Sequence, residues 1–174
     1  MGGARVSIFA AVFARSADDW SGIEIDLSDV GGIDDVVDLM RDVVSARDTV
    51  AAEGTMILMV EADDEWFGIV RVDDHANPQV FVSDTRVVDG YPIAAVLLET
   101  DGQLEEAEDP EDAEGTGQTP YPDPAGDSTL LDDLGTPEED LVALTLREGV
   151  LPADALAAVA DRAGFADSFD ALRI

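Results

Sequence analysis

The sequence contains no cysteine and no lysine, and its 174 residues include a single histidine. Without cysteine there is no disulfide, no thiolate nucleophile and no cysteine-ligated zinc. Without lysine, nine arginines scattered from Arg5 to Arg173 face 40 carboxylates, for a formal net charge of −31. Nucleic-acid binding draws most of its affinity from clustered cations that neutralise phosphates, so a chain of this charge is repelled by RNA, DNA and anionic lipid. A basic protein surface is the better electrostatic match. Solubility or a salt-adapted proteome would account for the charge equally well. No run of about 18 apolar residues exists to span a membrane. The apolar opening, Val6 to Ala14, is followed at once by Arg15, Asp18 and Asp19 and reads as a strand rather than a signal peptide. A cytoplasmic location is expected.

The usual chemical signatures are also missing. There is no GxxxxGK[ST] loop, no GxGxxG fingerprint and no GxSxG elbow. The one histidine, His75, sits in Asp73-Asp74-His75-Ala76-Asn77-Pro78 between two expected strands. Neighbouring residues on a turn rarely converge on one ion, so an exposed turn is expected there instead of a metal site. An EF-hand loop needs glycine at its sixth position and an acid at its first. Placing Gly115 or Gly102 at the sixth position puts Pro110 or Leu97 at the first. No catalytic residue, cofactor site, small-molecule site or metal site is nominated, and the chain is expected not to be an enzyme.

What is present is a large apolar content, 46% of the residues, separated along the chain from the charge. Residues 87 to 146 carry 17 acids and no base. Upstream, Val6 to Ala14 is apolar on both faces, as in a central strand. Ile23, Ile25 and Leu27 alternate with Glu24 and Asp26 in a second strand opened by Trp20. Ile33, Val36, Val37, Met40, Val43 and Val44 fall on one face of a helix, with Asp34 and Asp35 in its first turn and Arg41 and Arg47 near its end, matching the helix dipole. Met56 to Val60, Trp66 to Val72 and Gln79 to Ser83 read as three further strands. Ile93 to Leu98 fits a short helix or a sixth strand.

Glu99 to Glu114 holds nine acids in 16 residues, and a Gly- and Pro-rich stretch follows; together they predict a disordered, self-repelling linker. Thr136-Pro137-Glu138-Glu139 has the form of a capping box and introduces a helix. Pro152 starts another that ends at Gly164, and Phe165, Phe169 and Leu172 suggest a last short turn. The expected fold is therefore α+β. It comprises a mainly antiparallel sheet of about five strands with one covering helix (residues 1–98), an acidic linker (99–126) and a small helical segment (127–174). That segment is too small to be stable alone and is expected to pack on the sheet or against a partner.

Candidate partner contacts follow from two places. Trp66 and Phe67 are adjacent on a strand and must face opposite sides, so one is a candidate interface anchor, with Arg71 beside it. Burial of both aromatics in the core, with Arg71 paired to a carboxylate, is the plainer expectation. In the linker, Glu105, Glu106, Glu108 and Asp109 are the densest acids and the candidate contacts for a basic surface.

Several strings also resemble the tRNA adenosine deaminase-associated proteins, a small bacterial family. They are Phe9-Ala10-Ala11-Val12, the run Asp64-Glu65-Trp66-Phe67-Gly68-Ile69-Val70-Arg71-Val72, and Pro78-Gln79-Val80-Phe81-Val82-Ser83-Asp84. In the tail they are Leu130-Leu131-Asp132-Asp133-Leu134-Gly135, Leu151-Pro152-Ala153-Asp154-Ala155-Leu156 and Gly164-Phe165-Ala166-Asp167. The resemblance implies a non-catalytic accessory role beside the zinc deaminase that converts adenosine to inosine in tRNA, exercised through protein–protein contact. The deaminase's own HxE and PCxxC signature is absent. A general acidic module or nucleic-acid mimic that binds another basic protein is the alternative.

Overall fold

The computed structural model describes residues 8–16, 19–27, 30–47, 54–62, 66–73, 78–84, 93, 96–97, 125–146 and 151–173. Five strands form an antiparallel sheet: β1 (Ile8–Ser16), β2 (Asp19–Glu24), β3 (Thr55–Ala62), β4 (Trp66–Asp73) and β5 (Gln79–Val82). A two-residue strand, β6 (Ala125–Gly126), extends it at the end of the stretch read as linker. The spatial order is β2-β1-β3-β4-β5-β6, every pairing antiparallel. The rest of the proposed linker, including Glu105, Glu106, Glu108 and Asp109, lies outside the described residues, as does His75.

Both faces of the sheet are buried, which is why β1, β3 and β4 read as continuous apolar runs rather than alternating ones. Ala10, Val12, Ala14, Met56, Leu58, Val60, Trp66, Val70 and Val72 point to the first face; Ala11, Phe13, Ile57, Met59, Phe67 and Ile69 point to the second. Helix α1 (Ile33–Arg47) covers the first face through Val36, Val37, Met40 and Val44. Its first turn is closed by Asp35, whose carboxylate accepts the Gly31 N–H at 2.9 Å. Ile93, Val96 and Leu97, the described residues of this run, are helical and join the same core, in line with the short helix and not with a sixth strand.

The C-terminal segment covers the second face. Its elements are a 3₁₀ turn (Asp132–Leu134) followed by α2 (Glu138–Leu146), α3 (Pro152–Ala163) and α4 (Ala166–Arg173). The last is two helical turns, more than the single turn expected. Leu130, Leu131, Leu134, Leu141, Leu156, Val159, Phe165 and Phe169 form one core with the strands beneath. The Phe13 and Phe165 rings stack with centroids 4.5 Å apart, and Phe9 meets Phe169 edge-on at 5.9 Å. The segment is thus part of the same folded unit as the sheet.

Two glycines make these connections possible. Gly126 has φ +103°, and a Cβ there would lie 2.1 Å from the Val80 carbonyl, so only glycine lets the chain turn in against β5. Gly164, at φ +102°, ends α3 with its own N–H and that of Phe165 both donated to the Ala160 carbonyl, and so aims Phe165 at the sheet. The expected capping box does not form. Thr136 is fully buried and its hydroxyl has no hydrogen-bond partner. The Glu138 N–H is donated to Asp132 Oδ1 at 3.1 Å, a carboxylate carried by the preceding 3₁₀ turn.

Candidate protein-interaction surface

Trp66 and Phe67 do face opposite sides of the sheet, but neither reaches solvent. Trp66 is 0% exposed beneath the α1 layer, and Phe67 is 2% exposed beneath the C-terminal helices, 6.1 Å from the Phe81 ring. The interface-anchor reading is therefore corrected. With a cover on each face, an aromatic on a central strand is core whichever way it points.

Arg71 is likewise inward, 8% exposed, and it is the polar link between sheet and tail. Its Nη1 donates to Asp133 Oδ1 and, at 2.7 Å, to the Leu130 carbonyl; Nη2 donates to Asp133 Oδ2 at 3.0 Å. Its Nε donates to both Asp73 oxygens at 3.1 and 3.2 Å, and Thr55 donates its hydroxyl to Asp73 Oδ1 at 2.8 Å. The two-pronged hydrogen bond to Asp133 raises the Arg71 pKa, and the same bond holds the Asp133 carboxyl below its ordinary range. Alongside, Gln79 donates to Asp127 Oδ2 at 2.7 Å, and the Thr129 hydroxyl and amide donate to Asp127 Oδ1. Those bonds, the Thr129 hydroxyl first, lower the Asp127 pKa. Four of the five Arg71 N–H donors are held by carboxylates and a carbonyl and the side chain is buried, so this network serves to fix the tail to the sheet.

What faces solvent is mostly carboxylate. On α1, Asp34, Asp38 and Asp42 are exposed and fall at i, i+4 and i+8, one row about 12 Å long at 1.5 Å per residue. On the opposite cover, Asp132, Glu138, Glu139, Asp154, Asp161, Asp167 and Asp170 are exposed. The described cations offset little of this. Arg162 pairs with Asp140 at 2.6 Å, and Arg15 lies over the Trp20 ring, 5.4 Å from its centroid. Leu151 is the one large apolar side chain substantially exposed among the described residues, at 47%. Among the described residues no group of three or more His, Cys, Asp or Glu converges as metal ligands, and no helix is long and apolar enough to cross a membrane.

The sequence reading passed over the Asp34-Asp38-Asp42 row, although its four-residue spacing on a helix was already visible. It also passed over Asp133 as the partner of Arg71, which no spacing could have revealed across so long a separation.

Comparison with known proteins agrees with the family resemblance. A family model described as Rv3753c-like tRNA adenosine deaminase-associated protein matches residues 8–166. Protein Rv3753c of Mycobacterium tuberculosis (strain ATCC 25618 / H37Rv) is 32% identical over 119 residues, which cover 68% of this chain and 64% of that protein. The match therefore spans slightly less than two thirds of the relative's own length. No solved structure matches.

Proposed function

The chain belongs to the Rv3753c-like tRNA adenosine deaminase-associated protein family, and from that premise we propose that it is a non-catalytic accessory of the tRNA adenosine deaminase, acting by protein–protein contact. It has no cysteine with which to build the zinc deaminase signature. An enzyme that binds tRNA presents cations to the phosphates. The acidic surface of this protein is complementary to such a surface, and occupying it would place the accessory where tRNA must bind. The observation that carries the reading is the solvent face of α1, where Asp34, Asp38 and Asp42 form an exposed row. With Trp66, Phe67 and Arg71 buried, the contact falls to exposed carboxylates, in which the segment with Glu105, Glu106, Glu108 and Asp109 would share.

The test is co-elution of the full chain with the deaminase of its own cell, at low and at moderate salt, with tRNA as competitor. The reading expects a complex at low salt that weakens as exposed charges are screened and that tRNA displaces. No complex at either salt sinks it. Equal binding to several unrelated basic proteins would replace it with a general acidic module.

A further inference from the structure

Among the described residues the sheet ends at β2, and no described strand lies along its outer edge. In an antiparallel ladder the residues of each strand alternate between bonding inward to the neighbour and pointing outward. The Ile25 amide donates to the Ala10 carbonyl at 2.9 Å, and the register pairs Ala11 with Glu24, Val12 with Ile23, Phe13 with Gly22 and Arg15 with Trp20. Counting from that bond, Ser21, Ile23 and Ile25 turn their peptide groups toward β1, while Trp20, Gly22 and Glu24 turn theirs away from it. A second bond agrees: the Trp20 carbonyl accepts the Ser168 hydroxyl of α4 at 3.2 Å, which an inward-facing carbonyl could not do. Helix α4 therefore closes the Trp20 end of the edge. Among the described residues, nothing bonds to the outward peptide groups of Gly22 and Glu24.

The surroundings of this open end are acidic. Glu24 and Asp26 are exposed, and α4, which packs against β2, exposes Asp167 and Asp170. Gly22 is backed by the Phe13 ring and Leu172, which lie within 3.0 Å of where its Cβ would be, so the edge rests on the core. An unpaired edge normally invites a second copy of the same chain. Here a second copy brings another net charge of −31 against the first.

We propose that residues 22–24 are a docking edge to which a protein partner adds an extended segment as a further strand, one carrying Lys or Arg at alternate positions. Main-chain hydrogen bonds to Gly22 and Glu24 supply the affinity, and the acids along the edge select a cationic segment. The inference stands apart from the identity of the partner, because its probe is a peptide and not the deaminase.

The experiment uses the full chain and a blocked peptide alternating lysine and valine, followed by amide hydrogen exchange and by titration. In the free protein the Gly22 and Glu24 amides should exchange fast and the Ile23 and Ile25 amides slowly. Peptide should bind and protect Gly22 and Glu24. Glu24→Gln, which removes only the charge, should weaken binding about threefold. Glu24→Pro also removes the outward N–H while sparing the inward bonds, and should weaken it about tenfold. If Glu24→Pro fails to fold, the exchange pattern with Glu24→Gln decides alone. Binding without protection at Gly22 and Glu24 overturns the proposal, as does no binding. Protection that grows with protein concentration in the absence of peptide also overturns it, since the occupant is then a second copy. Peptide addition at the edge with no deaminase complex leaves this inference standing and removes the functional reading; the reverse result does the opposite.

Discussion

The two faces of the sheet are built from the same strands and solved differently. The first is lined by Val, Ala, Met and Leu together with Trp66 and is covered mainly by α1, which follows β2 directly and reaches it through a short connection, with Ile93, Val96 and Leu97 joining it. The second is lined by Phe13, Phe67 and Phe81 and is covered by residues that begin about forty positions after β5 ends. A helix close in sequence needs only an apolar stripe to find its face. A distant cover pays a closure cost that grows slowly with loop length, and it then needs contacts that fix one placement. The second face supplies them as ring pairs and as the Arg71–Asp133 link. The local cover α1 is an aliphatic stripe, whereas the distant cover adds ring pairs and a charged link to its aliphatic contacts.

The sharpest way to break this contrast is to remove the distant cover. A chain ending at residue 98 bares Phe13, Ile57, Met59, Phe67, Ile69 and Phe81. It should bind a hydrophobic dye and lose near-ultraviolet circular dichroism while keeping much of its far-ultraviolet signal. A native-like spectrum from that fragment would mean the tail is an accessory to the fold and not part of it. Next in size are single truncations, one per face. Phe165→Ala should cost about 3–5 kcal/mol and Met40→Ala about 2–5 kcal/mol. Because both cores share the strands, each should shift one cooperative denaturation curve. Two separate transitions in Phe165→Ala would show that the faces melt independently.

Asp133→Asn tests the polar link and should cost about 1 kcal/mol, a modest figure because the Asp133 side chain is 65% exposed and solvent screens the pair. Its pH dependence has a definite sign. The Asp133 carboxyl is held below its ordinary value when folded, so its contribution is complete above the unfolded pKa of about 4 and fades as pH falls through the lowered folded one. The stability difference between wild type and Asp133→Asn should therefore be full at neutral pH, shrink below about pH 4 and vanish in stronger acid. The smallest effect is on the surface. Changing Asp38 and Asp42 together to Asn relieves like-charge neighbours at four-residue spacing while leaving Asp34 to the helix dipole, and should raise stability by a few tenths, about 0.2–0.5 kcal/mol per pair. The same change should weaken deaminase binding at low salt, and unchanged binding would move the contact away from α1.

Much of this protein was legible before its structure. Strand and helix positions followed from period, because burial on one face or two leaves its mark on neighbouring residues. The α+β class, the covering helix, the start of α3 at Pro152 and its end at Gly164 were all readable in that way. The capping box was read from a pattern with the right letters, but Thr136 is buried with its hydroxyl unbonded and Asp132 caps the Glu138 amide instead. Asp132 lies outside that four-residue window.

The candidate site was less legible. Trp66, Phe67 and Arg71 were singled out for their chemistry, and only the tertiary structure decided that all three turn inward. The reason is that exposure is a property of layers and not of residues. An alternating strand shows which side chains share a face, but the number of covered faces depends on where distant segments come to rest. The sequence by itself determined the charge, the elements and the absence of thiol chemistry. The packing of residues 125–173 on the second face, the Arg71–Asp133 pair and the outward peptide groups of β2 were decided by contacts between parts of the chain that carry no local sign of one another.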